Sequence, residues 1–194
     1  MGRRRARRRR AVAARCRGPD EPRAPPGPAQ PPRGHRRPFA AVVTDAATGA
    51  VLSVGVNLVL ASGLSGMHAE VVALCLAQAG AATWDLGAAG RPPVELAVNW
   101  RPCAMCYGAV LWSGVARLVI AGEGDEVEHL TGFDEGPMRP DWKEQLAARG
   151  VEVRTDVLRA EALATFREYG ERPDVIVYNG GGRGRSTPAA PQVR

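Results

Sequence analysis

The sequence lacks several features that would place it in other classes of protein. No apolar run reaches the length of a transmembrane helix, and no apolar segment follows the Arg-rich start as it would in a secretory signal peptide. Only four cysteines occur in 194 residues. In a reducing compartment such cysteines stay as thiols or bind metals. We therefore expect a soluble, cytoplasmic protein without structural disulfides and without a membrane partner.

The length and the distribution of charge indicate one domain that carries a basic arm. A chain of 194 residues with 45% hydrophobic composition can bury one core, and it shows no internal repeat. Residues 1–37 contain 13 arginines and two acidic residues, a net charge of +11. Residues 38–178 contain 10 basic and 18 acidic residues, a net charge of −8. The positive charge therefore lies in the arm. The domain is negatively charged, so nucleic acid is not an expected partner for it.

The two ends of the chain differ in composition from the domain between them. Residues 1–37 combine an Arg run with a Pro-rich stretch that has few apolar residues, so we expect a largely disordered arm. A short helix over residues 3–17 stays open as an alternative, although its apolar face is thin. Two further interpretations of the arm are a nucleic-acid tether and a targeting peptide. Residues 179–194 are rich in Gly, Arg and Pro and are also expected to be disordered.

Residues 38–178 show the residue pattern of alternating strands and helices. The predicted strands are residues 39–44, 51–56, 94–99, 115–121 and 151–157. The predicted helices are residues 68–79, 103–113, 141–149 and 159–169. This alternation predicts a single domain over residues 38–178 with a three-layer α/β/α fold, in which helices cover a mixed, mostly five-stranded sheet.

Two of the predicted helices begin with residues that bind metals. The sequence H-A-E at residues 68–70 starts one helix, and P-C-A-M-C at residues 102–106 starts another after a predicted strand. Cysteines three residues apart lie on one helical face, so their sulfurs can converge, and a helix N-terminus and a metal both favour the thiolate. His68, Cys103 and Cys106 are therefore the predicted zinc ligands.

A fourth protein ligand would make this zinc site structural, whereas an open position is typical of a catalytic site. None of the other candidates is convincing, because Cys75 is expected to be buried in its helix, Cys16 and His35 belong to the arm, and His129 lies in an acidic stretch. An open zinc position lowers the pKa of bound water to roughly 7, and deamination also needs a general acid and base. Glu70 is the predicted proton carrier.

The two motifs together resemble H-x-E followed by P-C-x-x-C, the pattern of zinc-dependent base deaminases. The chain is similar to the cytidine deaminase superfamily from residue 37 to about residue 169. Its P-F-A-A-V at residues 38–42 resembles the first strand of that family, and G-V-N at residues 55–57 resembles its G-x-N. The resemblance implies the cytidine deaminase-like fold, a zinc cofactor and hydrolytic deamination. Its last strand and helix resemble the branch of guanine, cytosine and tRNA-adenosine deaminases.

Within that branch, G-F-D-E at residues 132–135 resembles the G-F-D-D loop of bacterial guanine deaminases and plant guanosine deaminases. By this resemblance Asp134 accepts hydrogen bonds from the N–H edge of the base. The other implied substrate contacts are Asn57 to the ring, the amide of Ala69 to a carbonyl, and Phe39 and Trp112 on the ring faces. Asn57 could instead cap a turn, and both aromatic residues could belong to the core.

Relatives of this kind are usually dimers that close the site with a C-terminal tyrosine, often from a domain-swapped partner. Tyr169 and Tyr178 are both candidates for that role, and we expect a homodimer. The chain departs from the family at Arg101, where the family commonly has Glu before P-C, and at residues 63–67, which replace D-P-T before H-A-E. Both departures flank the pocket, so Trp100 and Arg101 are further candidates for substrate contact.

The favoured function is hydrolytic deamination of a small aminated heterocycle, with guanine or a related purine base or nucleoside first. Cytosine and triazines stay open as substrates because the same zinc chemistry would serve them. A tRNA-editing adenosine deaminase would need a basic groove, which only the arm could supply. A non-catalytic zinc scaffold is the remaining alternative, and the presence of Glu70 argues against it.

Overall fold

The computed structural model describes residues 38–178. The predictions for the arm, including its short helix, Cys16 and His35, and for residues 179–194 lie outside this range. The helices and strands are, in chain order, β1 (Ala40–Asp45), β2 (Val51–Val56), α1 (Val59–Ser62), α2 (Ala69–Ala81), β3 (Val94–Val98), α3 (Ala104–Ser113), β4 (Arg117–Ile120), α4 (Glu126–Thr131), α5 (Trp142–Ala147), β5 (Glu152–Arg154) and α6 (Arg159–Gly170).

The five strands form one mixed sheet in the order β2-β1-β3-β4-β5. β1 pairs antiparallel with both β2 and β3, whereas β3, β4 and β5 pair in parallel. Parallel neighbours need a crossover connection. α3 connects β3 to β4, and α4 and α5 connect β4 to β5. The predicted mixed five-stranded α/β fold is confirmed.

Two short helices were not predicted from the sequence pattern. α1 has four residues and lies in the Gly/Ser-rich loop after β2, and α4 has six residues and lies in the acidic stretch after β4. Helices of this length show too few turns for an apolar period to emerge. Tertiary packing supports α4, because it lies against α6 and its Val127 is fully buried.

The main core lies between one face of the sheet and helices α2 and α3. Alternate residues of the three central strands point into it and are at most 7% exposed: Ala41, Val43, Leu96, Val98, Leu118 and Ile120. The buried face of α2 consists largely of alanines, and these small side chains allow the helix to approach the sheet closely. The packing fixes the position of the N-terminus of α2 relative to the ends of the central strands.

Gly55 in β2 is where this approach is closest. A Cβ atom at Gly55 would lie 2.1 Å from the backbone oxygen of Ala69 and 2.5 Å from the backbone nitrogen of Ala73. Both atoms belong to the backbone of α2, so only a shift of the helix could make room. Gly55 therefore positions the first turn of α2, which carries Glu70 and follows His68.

The Gly55→Ala variant is expected to lower the free energy of unfolding by about 1–3 kcal/mol, the range for overpacking a close-packed interior. It should also contain less zinc, because the displaced helix carries a predicted ligand. Urea unfolding and the metal content of the folded protein measure the two effects. The control is Gly80→Ala, where an added Cβ meets no atom within 4 Å. Equal stability and zinc content in both variants would show that α2 has room to move.

A second, smaller core lies beside the ends of β3 and β4, under α4 and α6. Its buried residues are Trp100, Ala121, Val127, Ala162 and Phe166. Phe39 packs against both this cluster and the main core. The loops that follow β3 and β4 are therefore held between two cores, and they form one wall of the site described next. No helix within residues 38–178 is long and apolar enough to span a bilayer.

Candidate active site

His68, Cys103 and Cys106 come together where α2 and α3 begin. His68 is the N-cap of α2 and Cys103 is the N-cap of α3, so each lies immediately before the first residue of its helix. Cys106 follows within the first turn of α3. The ligand atoms of the three residues all lie within 4.8 Å of one another, and Nδ1 of His68 is 3.5 Å from Sγ of Cys103. The structure thus brings the three predicted ligands into one cluster.

The cluster fits a zinc ion. Tetrahedral bonds of about 2.3 Å to sulfur and about 2.1 Å to nitrogen place the ligand atoms roughly 3.5–4 Å apart, which lies within the observed limit. Cys103 and Cys106 are buried free thiols. Among residues 38–178, no further His, Cys, Asp or Glu joins the group. Three protein ligands without a fourth are typical of a catalytic zinc site rather than a structural one.

The electrostatics of the two cysteines favour a bound cation. The hydrogen bond from Cys106 lowers the pKa of Cys103, and His68 acts in the same direction. The hydrogen bond to Cys103 and burial both raise the pKa of Cys106. The hydrogen bond to Cys103 raises the pKa of His68. One thiolate is thus readily formed, and a divalent cation would make the second favourable because it offsets the repulsion between them.

Glu70 lies in the first turn of α2 and lines the same cavity as His68. Burial raises the pKa of its carboxyl group, and the negative charge of Cys103 adds to the effect. A raised pKa makes protonation of the carboxyl group easier, as a group that both accepts and donates a proton requires. Glu70 therefore has the position and the electrostatic environment that suit the predicted general acid and base.

The cavity beside the cluster contains most of the predicted substrate residues. It is lined by Phe39, Ala40, Asn57, His68, Glu70, Val98, Asn99, Trp100, Arg101, Glu135 and Tyr178. Ala69 is buried at the first position of α2, where a backbone N–H has no intrahelical acceptor. The structure thus places polar donors, aromatic rings and two carboxyl groups around one space next to the zinc cluster.

Asn57 takes the capping role considered for it and also lines the cavity. It is buried, and its Oδ1 accepts a hydrogen bond from the amide of Val59 at 3.1 Å. This contact caps the turn that begins α1. Asn57 stays a candidate for contact with the ring because it lies at the cavity.

Trp112 does not line the cavity of its own chain, so within one chain it does not take the predicted place beside the base. Its side chain is 81% exposed on the outer face of α3. It follows Cys103 by nine residues, or about two and a half helical turns, and therefore points away from the zinc cluster. Cys75, which was expected to be buried, is likewise exposed on α2. His129 lies outside the cluster, with its exposed side chain 3.9 Å from Asp125.

Asp134 lies on the outside of its loop, and Glu135 takes the inner position. The Asp134 side chain is exposed, and its carboxylate accepts a hydrogen bond from the amide of Gly136 at 2.8 Å. Phe133 and Glu135 are buried on either side of it. In an extended segment, neighbouring residues face opposite sides. The G-F-D-E loop therefore presents its second carboxyl group, not the predicted first one, to the cavity.

Glu135 is a buried cavity residue that the sequence pattern did not identify as a candidate. Burial raises the pKa of its carboxyl group to about 8, and the nearby charges of Cys103 and Glu70 add to this effect. Its backbone oxygen accepts a hydrogen bond from the amide of Ala104 at 3.0 Å, which ties the loop to the start of α3. In the sequence, the only signal for Glu135 is that the loop contains two acidic residues. Their burial distinguishes the buried Glu135 from the exposed Asp134.

Trp100 and Arg101 form the wall of the cavity opposite α2. Trp100 is 3% exposed, its indole N–H donates to the backbone oxygen of Gly124 at 3.2 Å, and the guanidinium of Arg159 lies 5.0 Å from its ring centre. These contacts make Trp100 a supporting residue of the wall. Arg101 has a buried Nε without a hydrogen-bond partner among residues 38–178. A buried donor of this kind favours a ligand that accepts from it.

The two candidate tyrosines occupy different places. Tyr169 is buried in α6, and its ring stacks on Phe133 with centres 5.9 Å apart. Tyr178 lines the cavity, and the centre of its ring is 6.2 Å from that of His68 and 5.0 Å from that of Phe133. Tyr178 is thus the tyrosine that lies next to the zinc ligands.

Comparison with known proteins gives matches of two kinds. Residues 29–122 match the family model described as the cytidine and deoxycytidylate deaminase zinc-binding region. A guanine deaminase from Nitrosomonas europaea is 47% identical, with 68% of this chain and 72% of that chain covered and a TM-score of 0.66. A structure in complex with 2,6-diaminopurine is 46% identical, with 73% of this chain and 74% of that chain covered and a TM-score of 0.68.

A mutant protein solved in complex with 8-azaguanine is also similar. It is 47% identical, with 69% of this chain and 72% of that chain covered and a TM-score of 0.67. A comparison with curated protein sequences gives no match. The matches agree with the site geometry, in which three residues are positioned to hold zinc. The chain is a zinc-dependent deaminase, and it belongs to the cytidine deaminase-like family, in the branch that contains the guanine deaminases.

Proposed function

We propose that this chain deaminates guanine by hydrolysis. Water replaces the exocyclic amine, so that guanine is converted to xanthine and ammonia. The observation that carries the proposal is a cavity in which Glu70 and Glu135 lie beside the zinc ligands. The 47% identity to a guanine deaminase over 68% of the chain supports guanine rather than cytosine or a triazine as the substrate.

Proton transfer in this reaction is assigned to Glu70. When held by His68, Cys103 and Cys106, zinc supplies Lewis acidity that lowers the pKa of water to about 7. The carboxylate of Glu70 accepts the proton that water loses as the new C–O bond forms, and it donates that proton to the adjacent ring nitrogen. Glu70 then takes the remaining proton of the added hydroxyl group and delivers it to the amine, the C–N bond breaks as the carbonyl forms, and ammonia leaves. Glu70 ends in the protonation state in which it began.

The remaining cavity residues are proposed to orient the base. The Glu135 carboxyl group accepts from an N–H group of the ring, and the Asn57 Nδ2 and the Ala69 amide donate to ring or carbonyl acceptors. Phe39 and Tyr178 contact the faces of the ring. The buried Nε of Arg101 provides one further donor at the opposite wall. Polar groups in a cavity that excludes water discriminate strongly between bases, because a mismatched base leaves them unpaired.

The test of the proposed function is ammonia release from a panel of guanine, guanosine, cytosine, cytidine, adenine, a triazine and tRNA. The zinc-loaded chain is compared with Glu70→Ala protein prepared in parallel, so that any contaminating deaminase is subtracted. We expect the highest kcat/KM with guanine. Faster turnover of cytosine, a triazine or tRNA would replace the proposed substrate. Absence of turnover across the panel with zinc bound would favour the scaffold hypothesis.

The Glu135→Gln variant tests the recognition assignment. An amide in place of the Glu135 carboxyl group offers a different set of donors and acceptors, and a buried polar group that is left mispaired costs about 1–3 kcal/mol. We therefore expect kcat/KM for guanine to fall by about 10- to 100-fold, since about 1.4 kcal/mol corresponds to a factor of ten. The matched control is Asp134→Asn, which is expected to change kcat/KM by less than about twofold because this exposed side chain points away from the cavity. A larger loss in the control than in Glu135→Gln would return the role to Asp134.

We further propose that the chain forms a homodimer through the outer face of α3. Met105 and Trp112 are 42% and 81% exposed on that helix, and exposed apolar surface of this kind is typical of protein interfaces. Tyr178 reaches the cavity of its own chain, so the closed site needs no exchange of C-terminal segments. Sedimentation equilibrium of the purified chain distinguishes a dimer from a monomer.

We also propose a cytoplasmic location. A reducing cytoplasm would keep the described thiols available for zinc.

A further inference from the structure

The loop that carries Glu135 to the cavity is anchored to α4 by a side chain that does not itself line the cavity. We propose that this residue, Glu128, is a positioning residue for deamination, because its carboxylate holds the backbone of Glu135 beside the zinc ligands. Glu128 is not one of the residues around the cavity, so its effect on the reaction passes through Glu135. The inference rests on the role proposed for Glu135 in binding the base.

Glu128 accepts two hydrogen bonds from the loop that follows its helix. Its backbone oxygen accepts from the amide of Gly132 at 2.8 Å, and its carboxylate Oε1 accepts from the amide of Glu135 at 3.2 Å. The amides at positions 133 and 136 donate to side chains only two residues before them. Those two contacts are local to the loop. The contact between Glu128 and Glu135 spans seven residues, so it determines where the loop lies relative to α4.

The carbonyl group of Glu135 is held from the other side. It accepts a hydrogen bond from the amide of Ala104 at 3.0 Å, at the first residue of α3 and next to the ligand Cys103. The peptide groups before and after the Glu135 Cα atom are therefore both fixed, one to α4 and one to α3. Two fixed peptide groups set the direction of the Cα–Cβ bond, and with it the point from which the Glu135 side chain enters the cavity.

The other acidic residues at the start of α4 have different partners. Asp125 is exposed at the N-cap, and Glu126 forms an ion pair with Arg159 on α6. Glu128 is half-buried, and within residues 38–178 no lysine or arginine pairs with its carboxylate. A half-buried carboxylate needs hydrogen-bond donors to offset its loss of solvent, and the Glu135 amide is the donor that it has.

A double-mutant cycle in the full-length, zinc-loaded chain tests whether Glu128 acts through Glu135. Glu128→Ala is measured alone and in a Glu135→Gln background, with the best substrate of the panel. We expect kcat/KM to fall about tenfold in the unaltered chain, the lower end of what a hydrogen bond to a charged group contributes. In the Glu135→Gln background the loss should be less than about twofold, because no carboxyl group is left to be positioned.

Two further variants separate positioning from a general effect on the fold. Glu128→Gln keeps an oxygen that can accept from the Glu135 amide, so it should restore kcat/KM to within about threefold of the unaltered chain. Asp125→Ala is the matched control, since it removes a carboxylate from the same end of α4 without touching the loop. It is expected to change kcat/KM by less than about twofold.

Hydrogen exchange of the Glu135 amide gives a readout that does not depend on any substrate. It is followed by NMR in the zinc-loaded chain without a base. Glu128→Ala should speed exchange at this amide about tenfold, whereas Glu128→Gln and Asp125→Ala should change it much less.

The outcomes distinguish failure of this proposal from failure of the proposed function. Equal losses from Glu128→Ala with and without Glu135→Gln would show that Glu128 does not act through Glu135. Unchanged exchange at the Glu135 amide in Glu128→Ala would show that the carboxylate does not hold this amide. Either result would overturn the positioning role. Full activity of Glu135→Gln alone, or a best substrate other than guanine, would instead contradict the proposed function.

Discussion

Glu70→Gln protein is expected to deaminate guanine about 100- to 10,000-fold more slowly than the unaltered chain, the usual contribution of a general acid and base. The amide has nearly the shape of the carboxyl group but can neither accept the proton of water nor deliver it to the ring. Glu70 lines the cavity beside His68, and burial raises the pKa of its carboxyl group. It lies two residues from that ligand, in the first turn of α2, whereas Glu135 enters the cavity from the loop between α4 and α5. Steady-state measurement of kcat and KM with guanine gives the size of the effect.

The effect should lie in kcat rather than in the fold or the metal. Zinc content and the thermal midpoint of Glu70→Gln are expected to match those of the unaltered chain, because Glu70 is not one of the three clustered ligands. Glu144→Gln, an exposed residue of α5, serves as the matched control and should leave kcat unchanged. A Glu70→Gln protein that kept most of its kcat would show that another group moves the protons.

Cys106→Ser is expected to lose bound zinc and with it all measurable deamination, a loss of more than about 1,000-fold, since metal catalysis supplies several kcal/mol of transition-state stabilisation. Cys106 is fully buried, and its sulfur lies within 4.8 Å of the ligand atoms of His68 and Cys103. A hydroxyl group is a far weaker zinc ligand than a thiolate. The thermal midpoint should fall as well, because zinc that binds only the folded state stabilises it.

Cys75→Ser is the matched control for this loss. Cys75 is also a helical cysteine, on α2, but it is exposed and outside the cluster, so its replacement should change neither zinc content nor rate. Metal analysis of both proteins after dialysis and the rate of ammonia release from guanine provide the comparison. If Cys106→Ser retained one zinc per chain at full activity, the assignment of the three ligands would be wrong.

The zinc cluster was predictable because its geometry is almost entirely local. Cys103 and Cys106 are one helical turn apart, and His68 and Glu70 share the first turn of another helix, so spacing alone places each pair. Pairing across the sheet then brings the two helix starts together. The strand and helix pattern was predictable for the same reason, since alternation and helical period are properties of short segments.

The wall of the cavity was less predictable because it depends on contacts between distant segments. Nothing local to G-F-D-E determines which acidic residue faces inward. The orientation follows from Phe133, which packs on Phe39 with ring centres 5.3 Å apart and so turns Glu135 to the same side. The place of the two tyrosines also depends on distant contacts. Tyr169 is buried and stacks on Phe133, whereas Tyr178 lines the cavity.

Trp112 is a residue that the family resemblance assigns to the substrate but that the fold of one chain does not bring to the cavity. The helical register places Trp112 on the outer face of α3, where it is 81% exposed. Counting turns from Cys103 would have given this orientation from the sequence. When a resemblance suggests that a residue contacts the substrate, the helical period of its own segment should be checked first.

The central claim is that this chain removes an amine from guanine by adding water, and one measurement tests it most directly. Zinc-loaded chain is incubated with guanine in water enriched in heavy oxygen, and the products are analysed by mass spectrometry together with ammonia release. We expect each turnover to release one ammonia and to place one heavy oxygen in xanthine. Loss of guanine without ammonia, or xanthine that carries no heavy oxygen, would contradict hydrolytic deamination.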